Sequence, residues 1–273
     1  QTKMRNTTFL ILLLTLIACS KSDDDSVNVP ESDYQLSPNG LTLVKWLNPL
    51  TAGVNMQADS RLREVNTIAE KAFKGCSRLQ SVVFSNNLKE IAAEAFAGTD
   101  LRTSVVFNSY SDVVFGERVF SNTRITSITL PKTKELSAEI FANCTALKNI
   151  TFAKTGKIGR GAFKGCTAIE QIDLSQAEAI AIGAETFAGC KRLKKVILSV
   201  TMNLKPIGDK AFANCTSLEN LTVLALYPPY FEGNPFQGIP YPTVYVPATP
   251  DDLIDIYKRD SQWKALADKI HKL

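Results

Sequence analysis

The sequence predicts a strand-rich α/β solenoid built from about eight repeats, with a cap at each end. Three observations predict it: a phenylalanine that recurs every 21 to 25 residues, an apolar residue five positions before it, and an alternating apolar run after it. The recurring phenylalanines are Phe73, Phe96, Phe120, Phe141, Phe163, Phe187, Phe212 and Phe236. Because one such unit cannot bury its apolar residues alone, consecutive units are expected to stack on one another.

Each repeat contains two predicted elements. The tail of a unit, as in Leu147, Ile150 and Phe152, alternates apolar and polar residues at its end and predicts a short strand with one buried face. The segment that leads into the phenylalanine is richer in Ala, Lys and Glu, and predicts a single helical or 3₁₀ turn. Stacking then places the phenylalanines in a continuous buried ladder.

Five of the six cysteines occupy one repeat position, three residues after the central phenylalanine: Cys76, Cys144, Cys166, Cys190 and Cys215. Their number is odd and they show no paired spacing, and Thr99 and Thr123 stand at the same position in two units without cysteine. We interpret the five as a buried ladder of small side chains. A disulfide between rungs, which requires strict Cβ geometry, and a metal site are the alternatives.

The composition disfavours several functional classes. The net charge is +4 and the basic residues are scattered, so the chain lacks the basic patch of a nucleic-acid-binding protein. Nucleotide-binding, zinc-protease and C-x-x-C motifs are missing from the sequence. The one histidine, His271, lies at a chain end that is expected to fray and so cannot position an imidazole for catalysis. We therefore expect no enzymatic activity, no cofactor, no metal and no nucleic-acid partner.

The N-terminal segment, residues 1–18, is typical of a secretory signal. Lys3 and Arg5 precede an apolar run from Phe9 to Ile17. This run is shorter than the ~20 residues of a membrane span. The run ends in Leu-Ile-Ala followed by Cys19, which resembles the bacterial lipoprotein box and implies cleavage before this cysteine and lipid attachment to it. The alternative is a short buried helix.

Residues 19–33 are predicted to form a lipidated acidic tether. They are polar and poor in apolar side chains, so we expect them to be disordered. The acidic run behind Cys19 resembles the export signal of Bacteroidetes lipoproteins, which implies a lipid-anchored protein on the outer face of the outer membrane. The alternative is a plain solvated linker. The lipid is the only membrane contact expected.

The repeat core, A-F-x-[GN]-C-x-x-L, resembles the BspA-like class of leucine-rich repeats. The resemblance covers residues 68–246 and implies a right-handed leucine-rich-repeat superhelix. It also implies adhesion or recognition by a Bacteroidetes-type surface lipoprotein rather than catalysis. The second unit departs from the pattern, so the strand register between Leu101 and Tyr110 is not defined by it.

The segments at both ends of the repeats are predicted to be caps. Residues 34–67 precede the repeats, and the stretch from Leu41 to Pro49 within them is expected to form a strand. Residues 247–273 resemble the closing segment of the same family and predict a helical cap. In that cap Thr249 is expected to cap a helix that has Pro250 in its first turn.

The outward residues of the repeat strands form the predicted ligand-binding site on the concave side of the solenoid. They are mostly hydroxyl and amide groups, which suit adaptable hydrogen bonding to protein or sugar. The candidates are Ser127, Thr129, Asn149, Thr151, Gln171, Asp173, Lys195, Asn220 and Thr222. We interpret Asp173 beside Lys195 as a solvated ion pair rather than a catalytic dyad. An inert hydrated sheet is the alternative, because half-buried sheets usually have a polar outer face.

A second candidate site lies between Leu226 and Pro247, where aromatic residues and prolines are dense. Its exposed rings would form an aromatic patch for protein or sugar contacts: Tyr227, Tyr230, Tyr241 and Tyr245. The favoured alternative is capping, in which prolines stop further strand pairing and the rings cover the last repeat.

Three classes of function compete. They are protein recognition at a surface, glycan capture for a polysaccharide uptake system, and catalysis, for which no acid, base or nucleophile converges in the sequence. We expect a non-enzymatic surface lipoprotein that binds a host matrix protein or another surface protein, with glycan binding as the alternative. This expectation rests on the family resemblance.

Overall fold

The computed structural model describes residues 28–107, 112–177, 181–202 and 205–273. They form a parallel β-solenoid of about nine turns with little helix, so the predicted fold is confirmed. In chain order the strands are β1 (Tyr34–Leu36), β2 (Thr42–Trp46), β3 (Gly53–Asn55), β4 (Thr67–Ile68), β5 (Ser81–Val83), β6 (Glu90–Ile91), β7 (Val105–Val106), β8 (Val114–Phe115), β9 (Ser127–Thr129), β10 (Thr133–Leu136), β11 (Asn149–Thr151), β12 (Thr155–Ile158), β13 (Gln171–Asp173), β14 (Ala181–Ile182), β15 (Lys195–Leu198), β16 (Pro206–Ile207), β17 (Asn220–Val223), β18 (Tyr230–Phe231), β19 (Thr243–Val246) and β20 (Ile270–Lys272).

The strands lie on two faces of the solenoid. Face A, which the sequence predicts to be the concave side, contains three hydrogen-bonded sheets: β3-β5, β7-β9-β11 and β13-β15-β17-β19-β20. Face B contains two: β1-β2-β4-β6-β8 and β10-β12-β14-β16-β18. Apart from the antiparallel pair of β1 and β2, all of these described pairings are parallel, as expected when each turn stacks on the one before it.

The segment before each phenylalanine forms turns rather than the predicted helical turn. In the repeat of Phe73, the N–H of Lys71 donates to the carbonyl of Ala93 and the N–H of Phe73 to that of Ala95, both in the next turn. Lys71 has a φ of 55°, a left-handed conformation that stops a helix from continuing. The prediction was wrong here because these N–H groups pair between turns of the solenoid and not along one helix.

A ladder of stacked aromatic rings forms the centre of the core. The eight phenylalanines predicted to stack are all buried, and neighbouring ring centroids lie 4.5 to 5.7 Å apart. Trp46 extends the ladder beyond Phe73 at 5.4 Å, and Tyr34 stacks on Trp46 at 5.8 Å. The ladder therefore reaches into the N-terminal segment, where the repeat pattern is no longer visible in the sequence.

The [GN] position of the repeat has a conformational explanation. The residue two positions after each phenylalanine has a positive φ in all eight repeats, from 57° at Asn122 to 88° at Gly75. Glycine adopts this conformation without steric cost, and asparagine tolerates it better than most residues do. The motif therefore marks the point at which each turn reverses direction.

The cysteine ladder is confirmed, and all five cysteines at this position are free and buried. Each of the last four donates its thiol hydrogen to the carbonyl of the phenylalanine one turn before, for example Cys144 Sγ to Phe120 O at 3.0 Å and Cys190 Sγ to Phe163 O at 3.2 Å. Thr123 donates its hydroxyl hydrogen to the same carbonyl of Phe120 at 2.8 Å. Small donors at this position thus add a second hydrogen bond to carbonyls such as Phe141 O and Phe163 O, which already accept the backbone N–H of Cys144 and Cys166.

We expect these five thiols to be unreactive in the folded protein. Burial raises the pKa of Cys144 to about 11 and that of Cys215 to about 12, and the thiolate is the reactive form. In a chain carrying Cys19→Ser, a thiol reagent at pH 8 should label no cysteine of the ladder before urea is added and five afterwards. Rapid labelling of the native protein would contradict a closed ladder.

The same raised pKa values predict a loss of stability in alkali. Well below pH 9 the thiols are neutral in both states, but as the pH passes through 9 the unfolded thiols ionise while the buried ones stay protonated. The free energy of unfolding should therefore fall as the pH rises from about 9 towards 12. A Cys144→Ala chain should show a smaller fall over this range, measured by urea denaturation.

The N-terminal end is held by a polar cluster. The backbone N–H of Val29 donates to Oδ2 of the buried Asp59 at 2.8 Å, and Arg61 donates to the carbonyl of Val29 at 2.9 Å. Residues 28–33, expected to belong to a disordered tether, are therefore fixed against the first turn. The strand predicted between Leu41 and Pro49 is confirmed as β2, whereas residues 1–27, with the predicted signal and Cys19, lie outside the described residues.

The C-terminal end differs from the prediction in its details. The α-helix of the described residues, α1 (Leu253–Arg259), begins after Asp252, so neither Thr249 nor Pro250 starts it. Short 3₁₀ helices complete the structure, at Glu31–Asp33, Leu62–Glu64, Val200–Met202 and Lys264–Lys269. The chain end does not fray: His271 lies in β20, which pairs with β19, and its exposed ring contacts that of Tyr245. The prolines therefore do not stop strand pairing on face A.

Gln262 closes the last edge of face B. Its side-chain amide accepts a hydrogen bond from the N–H of Phe231 at 2.7 Å and donates one to the carbonyl of Phe231 at 2.8 Å. The amide group thus takes the place of a further strand beside β18. A neighbouring indole, that of Trp263, donates to Pro229 O and packs on the Phe231 ring at 4.8 Å. The sequence did not predict the role of Gln262 at the edge of β18, because a glutamine at this position has no feature that distinguishes it from an ordinary surface glutamine.

Candidate ligand-binding face

The structure places all nine predicted ligand-binding residues on the strands of face A. Ser127 and Thr129 lie on β9, and the others follow on β11, β13, β15 and β17. Most of these side chains are exposed, and Ser127 and Asn220 are half-buried. Thr222 is the exception, because its exposed fraction is only 5%. Ile197 and Tyr245 stand beside it on the flanking strands, so Thr222 offers little surface to a ligand, and its role stays a prediction.

Face A is interrupted in the middle of the predicted site. β11 pairs with β9, and β13 pairs with β15, but no strand pairing joins β11 to β13 in the described part of the chain. The other junctions between sheets are bridged: Arg102 N donates to Gln80 O at 3.1 Å on face A, and Val113 N to Lys132 O at 3.2 Å on face B. We call the unbridged place between β11 and β13 the opening.

The opening contains two adjoining grooves, of about 380 Å³ and 280 Å³. Four residues line both of them: Lys148, Asn149, Gln171 and Lys195. Thr151 and Asp173 line the second groove, so five of the nine predicted residues meet at this one place. The grooves are large enough for a small ligand or a short segment of chain.

Backbone groups as well as side chains border the opening. Asn149 N donates to Thr126 O, and Thr151 O accepts from Leu130 N, so both of these residues direct their backbone groups towards β9. In a parallel strand, successive residues bond to opposite sides, and the N–H and C=O of Ile150 therefore point into the opening. The side chain of Ile150 is half-buried, whereas the equivalent Ile128 and Ile172 are buried.

Three lysines give the opening a positive character. Lys148, Lys194 and Lys195 are exposed, and none of the described carboxylates lies within 4.0 Å of their ammonium groups. Glu170, which also lines the opening, forms an ion pair with Arg192. The three lysines precede or begin their strands, so their charges gather at the end of the opening where those strands start.

The predicted ion pair between Asp173 and Lys195 is not formed. In the register of the two strands, Lys195 stands opposite Gln171, and Asp173 stands opposite Ile197. Oδ1 of Asp173 accepts the backbone N–H of Ser175 at 2.9 Å instead. The carboxylate therefore stabilises the turn that follows β13 and leaves the ammonium group of Lys195 free for other contacts.

The four tyrosines of the predicted aromatic patch occupy different surroundings. Tyr230 lies on β18 of face B, whereas Tyr245 lies on β19 of face A and contacts His271. Tyr241 packs edge-on against Phe236 at 5.9 Å and lines a separate groove of about 260 Å³ with Phe231 and Gln262. Tyr227 is more than half exposed. Tyr230 and Tyr245 thus lie on opposite faces, so the four do not form one continuous patch.

A metal site and a membrane-spanning helix are two further features for which the described residues can be searched. These residues contain no group of three or more His, Cys, Asp or Glu side chains arranged to hold a metal ion. Within the same ranges, no helix has the length and the apolar composition required to cross a membrane.

Stacked parallel strands that share a long, polar, accessible face define a class of solenoid proteins that serve as binding scaffolds. The chain belongs to the BspA-type leucine-rich repeat family: six copies of that repeat region match residues 61–114 and 113–228. The fold of this family is typically a non-enzymatic scaffold, and no catalytic family is indicated. None of the curated protein sequences matches the chain significantly.

Solved structures of similar fold come from several bacteria. A leucine-rich repeat protein from Bacteroides ovatus is 20% identical with a TM-score of 0.48, over 78% of this chain and 69% of that one. One from Eubacterium ventriosum is also 20% identical, with a TM-score of 0.47, and 78% of this chain matches 52% of that longer chain. The T. pallidum leucine-rich repeat protein is 22% identical, with a TM-score of 0.46, over 72% of this chain and 84% of that one.

Proposed function

We propose that this protein is a non-enzymatic cell-surface lipoprotein that binds a macromolecular protein ligand through face A. The opening is the observation that carries the proposal. It brings Asn149, Thr151, Gln171, Asp173 and Lys195 together around grooves at the junction of two sheets of face A. Hydroxyl, amide and ammonium groups beside free backbone groups offer many hydrogen bonds to a polar protein surface.

The proposed location is the outer face of the outer membrane, with a lipid on Cys19 as the anchor. The support is in the sequence, where a short apolar run ends at this cysteine and an acidic segment follows. Val29, near the start of the described residues, is bound to Asp59 of the first turn, so few residues of sequence separate the proposed lipid on Cys19 from that contact. The ligand would be a host matrix protein or a protein on a neighbouring cell.

Binding to immobilised host matrix proteins tests this function. The full chain, purified in mild detergent, should bind at least one of them saturably, and Asn149→Ala with Gln171→Ala should abolish that binding. The control is Gln35→Ala with Asn86→Ala, which removes two exposed amides outside the opening and should leave binding unchanged. If the matrix proteins do not bind, or if both double variants bind equally well, the proposal fails.

Glycan capture is the second candidate function, and the groove beside Tyr241 favours it. The exposed Tyr241 and the half-buried Phe231 present ring surface there, next to the amides of Asn234 and Gln262, and the buried Phe236 lies beneath them. Aromatic rings beside hydrogen-bonding groups suit stacking against a sugar. Binding of purified polysaccharides that is lost in Tyr241→Ala and kept in Asn149→Ala would establish this function in place of the first.

A further inference from the structure

We infer that the opening binds an extended acidic peptide segment of the protein partner, which adds as a strand to the free edge of β11. This inference rests on the proposed function and makes it specific, because it names the part of the partner that is recognised. It goes beyond the side chains predicted from the sequence and assigns the main role to the backbone of Ile150 and to three lysines.

The free edge of β11 is the first argument. The N–H and C=O of Ile150 face the opening, whereas each strand inside a continuous part of face A has neighbours on both sides. Unpaired edge groups form a template for another extended chain, which pairs with them by main-chain hydrogen bonds. Ile150 lines the second groove and its side chain is half-buried, whereas Ile172 across the opening is buried.

The size of the opening is the second argument. Grooves of about 380 Å³ and 280 Å³ accept a short stretch of chain but not a folded domain. They adjoin each other along the strands and share residues at both sides. A ligand that fills both is therefore elongated and lies parallel to β11.

The charges are the third argument, and they determine the composition of the peptide. Lys148, Lys194 and Lys195 face the opening without an ion-pair partner among the described carboxylates. Of the two acids that line it, Glu170 is engaged by Arg192, and Asp173 accepts the N–H of Ser175 at the opposite end of β13. Acidic side chains of a bound segment would meet the lysines where the strands begin.

The experiment uses a nine-residue peptide of alternating glutamate and valine, blocked at both ends, and the full chain in mild detergent. Three probes are compared with it: the same peptide with lysine in place of glutamate, the acidic peptide N-methylated at alternate residues, and a sulfated polysaccharide. Fluorescence anisotropy gives the affinities. Hydrogen exchange reports the protection of the Ile150 amide.

We expect the acidic peptide to bind and the lysine peptide not to bind. N-methylation on the pairing edge should weaken binding about tenfold, because it removes main-chain donors while every charge stays in place. The bound acidic peptide should slow exchange of the Ile150 amide. The triple variant Lys148→Gln, Lys194→Gln and Lys195→Gln should also weaken binding about tenfold, since each exposed charge contributes modestly.

A matched control variant distinguishes a specific effect of the three lysines at the opening from a general effect of removing three positive charges. Lys74, Lys89 and Lys264 are exposed lysines of other turns, and replacing these three by glutamine should leave peptide binding unchanged. Equal binding of the methylated peptide, binding of the polysaccharide alone, or binding of neither would overturn the inference. The proposed function is tested separately. Suppose a matrix protein binds the wild type and the Lys148, Lys194 and Lys195 variant equally well, but does not bind the Asn149 and Gln171 variant. That result would support the proposed function and refute the inference that an acidic peptide segment is recognised.

Discussion

The substitution Phe163→Ala is expected to lower the free energy of unfolding by about 3–5 kcal/mol. Phe163 is fully buried and stacks on Phe141 at 5.3 Å and on Phe187 at 5.6 Å, while Phe152 approaches edge-on at 6.0 Å. Its removal leaves a cavity between two turns whose backbones are fixed by hydrogen bonds, so the structure cannot collapse into the space. Urea denaturation, followed by circular dichroism, measures the loss.

The matched control is Phe163→Leu, which keeps most of the volume and removes the ring. It should cost less than half as much as the alanine substitution, because the cavity is smaller. A loss below about 1 kcal/mol for Phe163→Ala would mean that neighbouring turns repack freely and that the ring ladder is not a principal source of stability.

The substitution Gly208→Ala is expected to cost about 3 kcal/mol, near the upper end of the range for overpacked sites. A Cβ on Gly208 would lie 2.4 Å from the backbone nitrogen of Ala184 and 2.5 Å from the carbonyl carbon of Gly183. These atoms belong to the backbone of the preceding turn, which hydrogen bonds hold in place, so the two turns must move apart. The free energy of unfolding in urea is again the measurement.

Gly98→Ala separates this steric effect from backbone strain. Gly98 has a φ of +72°, but a Cβ there would meet no atom within 4 Å. We expect it to cost about 1 kcal/mol, the usual penalty for a left-handed conformation in a residue with a side chain. If the two substitutions cost the same, close approach between turns is not the reason for glycine at position 208.

Much of the fold was predictable because every turn of a stacked repeat must bury apolar residues at the same positions, so the same pattern recurs along the sequence. The spacing of phenylalanine identified the buried ladder, and the cysteine position identified the rung beside it. The helical turn was not predictable from composition, because the N–H groups of Lys71 and Phe73 bond to the next turn. Helix propensity reflects backbone hydrogen bonds within one segment and carries no information about those between segments.

The candidate site was predicted in part. The strand alternation placed Asn149, Gln171 and Lys195 on the outer side of face A, but it could not show that Thr222 is covered by its neighbours. Nor could it reveal the opening, since the tails of β11 and β13 both fit the strand pattern.

The opening also has a mechanical consequence. Consecutive turns are joined by hydrogen bonds at three places around the solenoid, on face A, on face B and between the turn segments. Between β11 and β13 the first connection is missing, and the load falls on the pairing of β10 with β12 and on bonds such as Phe141 N to Ala162 O. A force applied along the axis should therefore rupture the stack at this level first. Under the proposed function, with a lipid anchor at Cys19 and a partner bound at the opening, the junction that yields first would adjoin the surface proposed to hold the partner.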